Sequence, residues 1–159
     1  MIRDLIIKNK TSIVNNWIKS VYETYPSETS NFLKDQKNRF SNPVGFSISE
    51  CGEKILDELA GDFNLQQIKP LLQDLIKIRA VQDFSPSQAI GIIFFLKNSI
   101  NTVLGNEIKS KDFCNELMSV DSQIDQIVLS AFDLYMEARE KLFQIRVAEI
   151  KSRSRNIID

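Results

Sequence analysis

Aspartate and glutamate are the side chains whose spacing in this sequence could do chemistry, because histidine is absent from all 159 residues. They recur one helical turn apart as Glu53 and Asp57, as Asp121 and Asp125, and as Asp133, Glu137 and Glu140. That spacing sets carboxylates on one helix face, the arrangement di-metal bundles use. Those bundles complete the set with Glu-x-x-His motifs, so solvated faces are the expected reading here. Without histidine the chain also lacks the commonest general base and the commonest zinc and haem ligand. Cys51 and Cys114 lie far apart, with neither CxxC spacing nor the cysteine density of a secreted scaffold. Buried free thiols in a reducing cytoplasm are expected. No catalytic residue, metal ligand or cofactor is expected, and the chain reads as a non-enzyme.

Two further groups could bind rather than react. Phe84, Phe94 and Phe95, among ten phenylalanines, could line a pocket for an apolar ligand in a helical core, although packing alone accounts for them. From Arg139 to Arg155 the sequence holds Arg139, Lys141, Arg146, Lys151, Arg153 and Arg155 against Glu140 and Glu149. A basic helix end suits the negative pole of its own dipole, and an acidic protein partner is the second reading. With 20 basic and 21 acidic residues the net charge of −1 gives no general attraction for nucleic acid. The longest apolar stretch, Ala89 to Leu96, falls far short of the ~20 residues that span a bilayer, and the charged N-terminus lacks the apolar core of a secretory signal.

These residues must be carried by helices. Hydrophobic residues make up 43% and charged residues 26% of the chain, ordinary values for one globular domain. Five glycines and four prolines fall mostly where helical periodicity breaks, and no strand pattern stands out. The fold expected is all-α, a single-domain helical bundle over residues 1–159. Ile2, Leu5, Ile6, Ile13, Trp17 and Val21 predict one helix ending near Tyr25, before Pro26. Ser27 can cap a short helix through about Lys34, followed by a polar loop from Asp35 to Arg39. Asn42 as N-cap and Pro43 as first helical residue open a second long helix, whose stripe Val44, Ile48, Ile55 and Leu59 ends at Gly61.

Asn64 with Gln67 resembles a capping box, and Phe63 with Ile68 a hydrophobic staple. Pro70 then either kinks that helix or marks a start near Lys69. Leu71, Leu72, Leu75, Ile78 and Val81 run on to Phe84, where Ser85, Pro86 and Gln88 supply N-cap, first-turn proline and capping-box glutamine. The helix from Ala89 to Leu96 is apolar all round, so it is expected to be central, with Gly91 allowing close contact, and a polar connection is expected after Gly105. From about Ser110 to Arg155 one long helix is predicted, with Leu117, Val120, Ile124, Ile127, Ala131, Leu134 and Ala138 as a seam that Ile145 and Ala148 continue. At ~65 Å it exceeds what internal packing needs, so its end should project or pair with a second copy.

The corner Arg79-Ala80-Val81-Gln82-Asp83-Phe84-Ser85-Pro86-Ser87-Gln88 gathers polar side chains between two apolar helices. It is either a structural lock, with Arg79 pairing Asp83 one turn on, or a recognition site. The same run, extended from Ile78 to Gly91 and joined with Phe40-Ser41-Asn42-Pro43-Val44-Gly45, resembles the RsbRD N-terminal domain family. These are the N-terminal domains of RsbT co-antagonist proteins of bacterial stressosome and general stress signalling. The resemblance implies a helical sensory or interaction module, similar in arrangement to a globin without haem, that in co-antagonists precedes a phosphorylatable STAS domain. The chain ends at Asp159 without one, so it could instead regulate another enzyme complex by binding it. The expected function is a non-catalytic, cytoplasmic signalling module with protein partners, homodimeric through its C-terminal helix. Asn42, Pro43, Arg79, Gln82, Asp83, Ser87 and Gln88 are the candidate partner- or ligand-binding residues. A small-molecule sensor with a pocket near Phe94 and Phe95 is the rival reading.

Overall fold

A computed structural model describes residues 1–35, 40–110 and 112–158. Among the described residues the chain forms eight helices and no strand: α1 (Ile2–Lys8), α2 (Lys10–Tyr22), α3 (Ser27–Asp35), α4 (Pro43–Ala60), α5 (Leu65–Val81), α6 (Pro86–Gly91), α7 (Phe95–Ser110) and α8 (Cys114–Ile158). The all-α bundle with a long final helix is therefore as the periodicity predicts. α2 lies between α4 and α7, α5 lies between α4 and α8, and α1 closes against α4. The apolar faces meet in one cluster that holds Ile6, Trp17, Ile48, Ile55, Leu72, Leu75, Leu96, Ile124 and Ile127. Burial of such side chains stabilises the fold by about 1.5–3 kcal/mol each.

The first predicted helix is two. The break is at Asn9, whose backbone leaves the helical conformation at φ −109° and ψ 16°, while its backbone N–H and its side-chain amide both donate to the Leu5 carbonyl, at 3.0 and 2.9 Å. The face Ile2, Ile6, Ile13, Trp17 and Val21 is buried as expected, and α2 stops at Tyr22 before one tight turn to Tyr25. Ser27 is the first residue of α3 rather than its cap, since the Pro26 carbonyl receives the Ser30 N–H at 2.8 Å. Asp35 closes α3, and the rest of the predicted loop, Gln36 to Arg39, lies outside the described residues. Asn42 caps α4 as predicted, its Oδ1 accepting the Gly45 N–H at 2.8 Å.

At the α5 start, Asn64 accepts from the Gln66 N–H at 3.0 Å. Glu58 takes the reciprocal place foreseen for Gln67, receiving the Asn64 N–H at 2.8 Å. That hydrogen bond, with a second from Lys54, holds the Glu58 carboxyl below its usual pKa. Pro70 lies inside α5 on its exposed face, where the carbonyl its ring leaves unpaired can turn to water. The buried stripe of α5 is Ile68, Leu72, Leu75, Ile76, Arg79 and Ala80, so Val81 is exposed and an arginine stands in the apolar face.

The apolar run after Ala89 is not one helix either. α6 tightens over Ile92 to Phe94 into bonds three residues apart, from Ile93 N–H to Ile90 O at 3.1 Å and from Phe94 N–H to Gly91 O at 3.1 Å. Ala89, Ile92, Ile93 and Leu96 are buried, whereas Phe94 is exposed and a Cβ on Gly91 would meet open space. α7 also runs through Gly105 to Ser110, carried by Leu104 and Ile108 in the core, and α8 starts only at Cys114. Cys114 is exposed, not buried, because it lies outside the seam of α8.

The close approach that Gly91 was expected to provide belongs to Gly52. A Cβ there would fall 2.6 Å from Cζ3 of Trp17, whose fully buried indole N–H donates to the Ile92 carbonyl at 2.7 Å. That hydrogen bond fixes the ring against α4, so the ring cannot retreat. Gly52→Ala is accordingly expected to destabilise the fold by about 2 kcal/mol, measured by urea unfolding. An unchanged midpoint would mean that α2 and α4 can separate without cost.

Candidate functional site

The α5–α6 corner is built from its chain reversal. Asp83 takes a left-handed conformation with φ of 62°, and Phe84 N–H reaches back to the Arg79 carbonyl at 3.4 Å while Asp83 N–H reaches Ala80 at 3.4 Å. This pairing closes the C-terminus of α5, with aspartate in the place glycine usually takes. Phe84 is thereby folded over Arg79, its ring centre 3.9 Å from the guanidinium carbon. Two residues later the cap of α6 forms as predicted, with Gln88 N–H donating to Ser85 Oγ at 3.2 Å and Ser85 N–H to Gln88 Oε1 at 3.1 Å.

Arg79 is fully enclosed, with 0% of its surface exposed, and it does not pair with Asp83. Its Nε donates to Ala89 O at 3.1 Å and its Nη2 to Gln88 O at 2.9 Å. The Ala89 carbonyl is free to accept because the tight turn at Ile92 to Phe94 sends the Ile93 N–H, which would reach it in an unbroken helix, to Ile90 O instead. Nη1 reaches Tyr25 Oη at 3.3 Å and Thr24 Oγ1 at 3.4 Å. Tyr25 lies edge-on to Phe84 with ring centres 5.3 Å apart, and its hydroxyl donates to Gln82 Oε1 at 2.9 Å. No carboxylate reaches Arg79 among the described residues; the negative end of α6 and two aromatic rings carry its charge. Burial lowers the Arg79 pKa and raises that of Tyr25, each shift opposed by the other group.

The corner is also tied to α8. Tyr135 Oη donates to Phe84 O at 2.6 Å, and Arg139 Nη1 lies 3.4 Å from Ala80 O and 3.7 Å from Asp83 Oδ1. Between them opens a hollow of about 400 Å³ lined by Asp83, Phe84, Ser85, Pro86, Met136 and Arg139. The candidate residues thus divide. Arg79, Gln82 and the Gln88 carbonyl form the inner lock, while Asp83 and Ser87 face solvent. Asn42 and Pro43 stand at a different corner, between α3 and α4, where the buried Asn42 also donates to Leu33 O at 2.8 Å and Pro43 is exposed. Thr24, Tyr25, Tyr135 and Arg139 complete the lock from elements distant in sequence, and no local motif marks them.

α8 carries two apolar seams. Val120, Ile124, Ile127, Ala131, Leu134 and Ala138 are buried in the chain's own core, so this predicted seam is already occupied; Ile145 and Ala148 beyond it are exposed. Leu129, Met136, Phe143, Ile150 and Ile157 follow at intervals of seven along another face and are 50% to 84% exposed. Arg139, Arg146 and Arg153 alternate with this repeat and mask it in the residue pattern.

Among the remaining reactive groups, burial pushes the Cys51 thiol up to about 12, which leaves almost no thiolate at neutral pH. Asp57 is bound to Lys10 at 2.6 Å and Asp125 to Lys97 at 2.7 Å. No cluster of three metal-ligating side chains occurs among the described residues. Phe95 packs half-buried against the core and borders an open hollow with Ser20, Glu23, Thr24 and Asn98, and Phe94 carries the Lys97 ammonium 5.5 Å from its ring centre. No helix of the described residues is long and apolar enough to cross a membrane.

Compared with known proteins, residues 11–150 match the family model described as RsbT co-antagonist protein rsbRD N-terminal domain. The comparisons with curated proteins and with solved structures gave no match.

Proposed function

Because the chain belongs to the RsbT co-antagonist protein rsbRD N-terminal domain family, we propose that it is a non-catalytic regulatory module of stressosome-type signalling that acts through protein contacts and helix packing. The observation that carries this reading is the connection of the α5–α6 corner to α8. Arg79, Tyr25, Phe84 and Tyr135 form one continuous set of contacts from the turn after α2 through the corner to the final helix. A partner that docks on Asp83, Ser87 and the hollow beside Met136 would press on the same residues that seat α8. Asn42 and Pro43 hold the entry of α4 and would act on a partner only through Pro43, which is exposed.

The second element of the proposal is a homodimer in the cytoplasm, paired through the exposed seam of α8. Seven-residue spacing is what two helices need to stay in register around one another. Beyond Ala138 α8 leaves its own bundle, so the seam is open to a second copy. Nucleic acid has no place in the reading, given the balanced charge.

The corner is tested with Asp83→Asn combined with Ser87→Arg, both at exposed positions, the first keeping a residue that tolerates positive φ. Affinity capture from native lysate is expected to recover at least about tenfold less partner with the variant, at an unchanged melting temperature. Equal recovery of the same proteins by both forms would remove the corner as a docking surface.

A further inference from the structure

A second site lies on the far side of α2 from α7, where α2, the end of α3 and the start of α4 enclose a cavity of about 490 Å³. Its wall is apolar and partly aromatic, made by Ile18, Leu33 and Phe46. Its charged lining is of one sign. Lys19, Lys34, Asn15, Ser49 and the Tyr22 hydroxyl can all donate a hydrogen bond, and no carboxylate joins them. In a chain with more acidic than basic residues, a lining with two lysines and no carboxylate does not follow from composition.

Tyr22 makes the second observation. It is 7% exposed, it lines the cavity, and its hydroxyl has no hydrogen-bond partner among the described residues. The hydroxyl oxygen itself is accessible from the cavity, so it is open to donate to an acceptor there. Burial raises the Tyr22 pKa, so at neutral pH it stands there as a donor. Lys19 and Lys34 likewise form no ion pair among the described residues. Both are exposed at the rim, where their stems can lie along the apolar wall and their ammonium groups can close over a charge.

We propose that this cavity binds a small organic anion, a carboxylate or phosphate head on a compact apolar body, with Lys19, Lys34 and Tyr22 holding the head and Ile18, Leu33 and Phe46 the body. The volume falls in the range of sites that take such ligands. Because the cavity joins α2 to α3 and α4, and α2 ends beside the Thr24 and Tyr25 contacts of Arg79, occupancy would reach the corner through α2 alone. Binding itself does not depend on the signalling role proposed above.

Isothermal titration calorimetry on the full chain tests this with 2-naphthoate and 2-naphthyl phosphate as the two heads, and with neutral 2-naphthalenemethanol as the uncharged counterpart. Saturable binding of either anion at one per chain is expected, with the alcohol at least about tenfold weaker. Lys19→Gln with Lys34→Gln should reduce the anion to the affinity of the alcohol while leaving the alcohol and the melting temperature unchanged. Tyr22→Phe should weaken the anion several-fold. Absence of saturable binding by both anions, equal affinity for the alcohol, or wild-type affinity in the double lysine variant would each overturn the proposal. Binding of inorganic phosphate alone as tightly as either naphthyl anion would overturn the assignment of the apolar wall.

Discussion

Arg79→Ala is expected to unfold more easily than the wild type by about 3 kcal/mol, a fall in melting temperature of about 10 °C for a chain of this length. The substitution removes the donors that satisfy the carbonyls of Ala89 and Gln88, and it leaves the Tyr25 and Phe84 rings facing a void. Both losses are large on their own: a buried carbonyl without a partner costs about 1–3 kcal/mol, and a cavity adds to it. Arg79→Lys keeps the charge but not the planar fork that spans two carbonyls and a hydroxyl at once, so it should recover less than half of the loss. Differential scanning calorimetry of the three proteins checks the order. A folded Arg79→Ala variant with wild-type stability would mean that the enclosed guanidinium is not the lock of the corner.

The second large effect concerns association. Phe143→Glu with Ile150→Glu is expected to raise the dissociation constant of the proposed dimer at least about 100-fold, since each apolar side chain withdrawn from an interface forfeits about 1.5–3 kcal/mol and the introduced carboxylates would face their own copies. The fold itself should not notice. Both positions lie beyond Ala138 on the part of α8 that no other helix covers, so helix content and unfolding midpoint should match the wild type. This separates the association from the stability of the bundle, which depends on the other seam of the same helix.

What the sequence disclosed, and what it hid, follows from how local each device is. The Ser85 to Gln88 cap and the Asn42 cap are complete within four residues, so their side chains announce them. The break at Asn9 is a departure of the backbone from helical angles at one residue, and asparagine inside an apolar periodicity does not mark it. The spacing of Arg79 and Asp83 suggests a surface pair one turn apart, whereas Arg79 lies in the buried stripe of α5, where periodicity alone does not expect an arginine. One of its partners is the Ala89 carbonyl, ten residues on, which loses its helical donor when the chain tightens after α6, a fact with no signature in residue types. Gly52 was overlooked for the same reason: the indole of Trp17 that demands it comes from another helix. The cavity of Lys19 and Lys34 joins three helices whose relative placement periodicity does not supply.

The central claim is that this bundle presents an open helical seam to a second copy of itself. Sedimentation velocity of the wild type and of the Phe143→Glu, Ile150→Glu variant, at matched concentrations up to high micromolar, tests it most directly. A wild type that sediments as a dimer beside a folded, monomeric variant is the predicted result. A wild type that remains strictly monomeric throughout that range would contradict it.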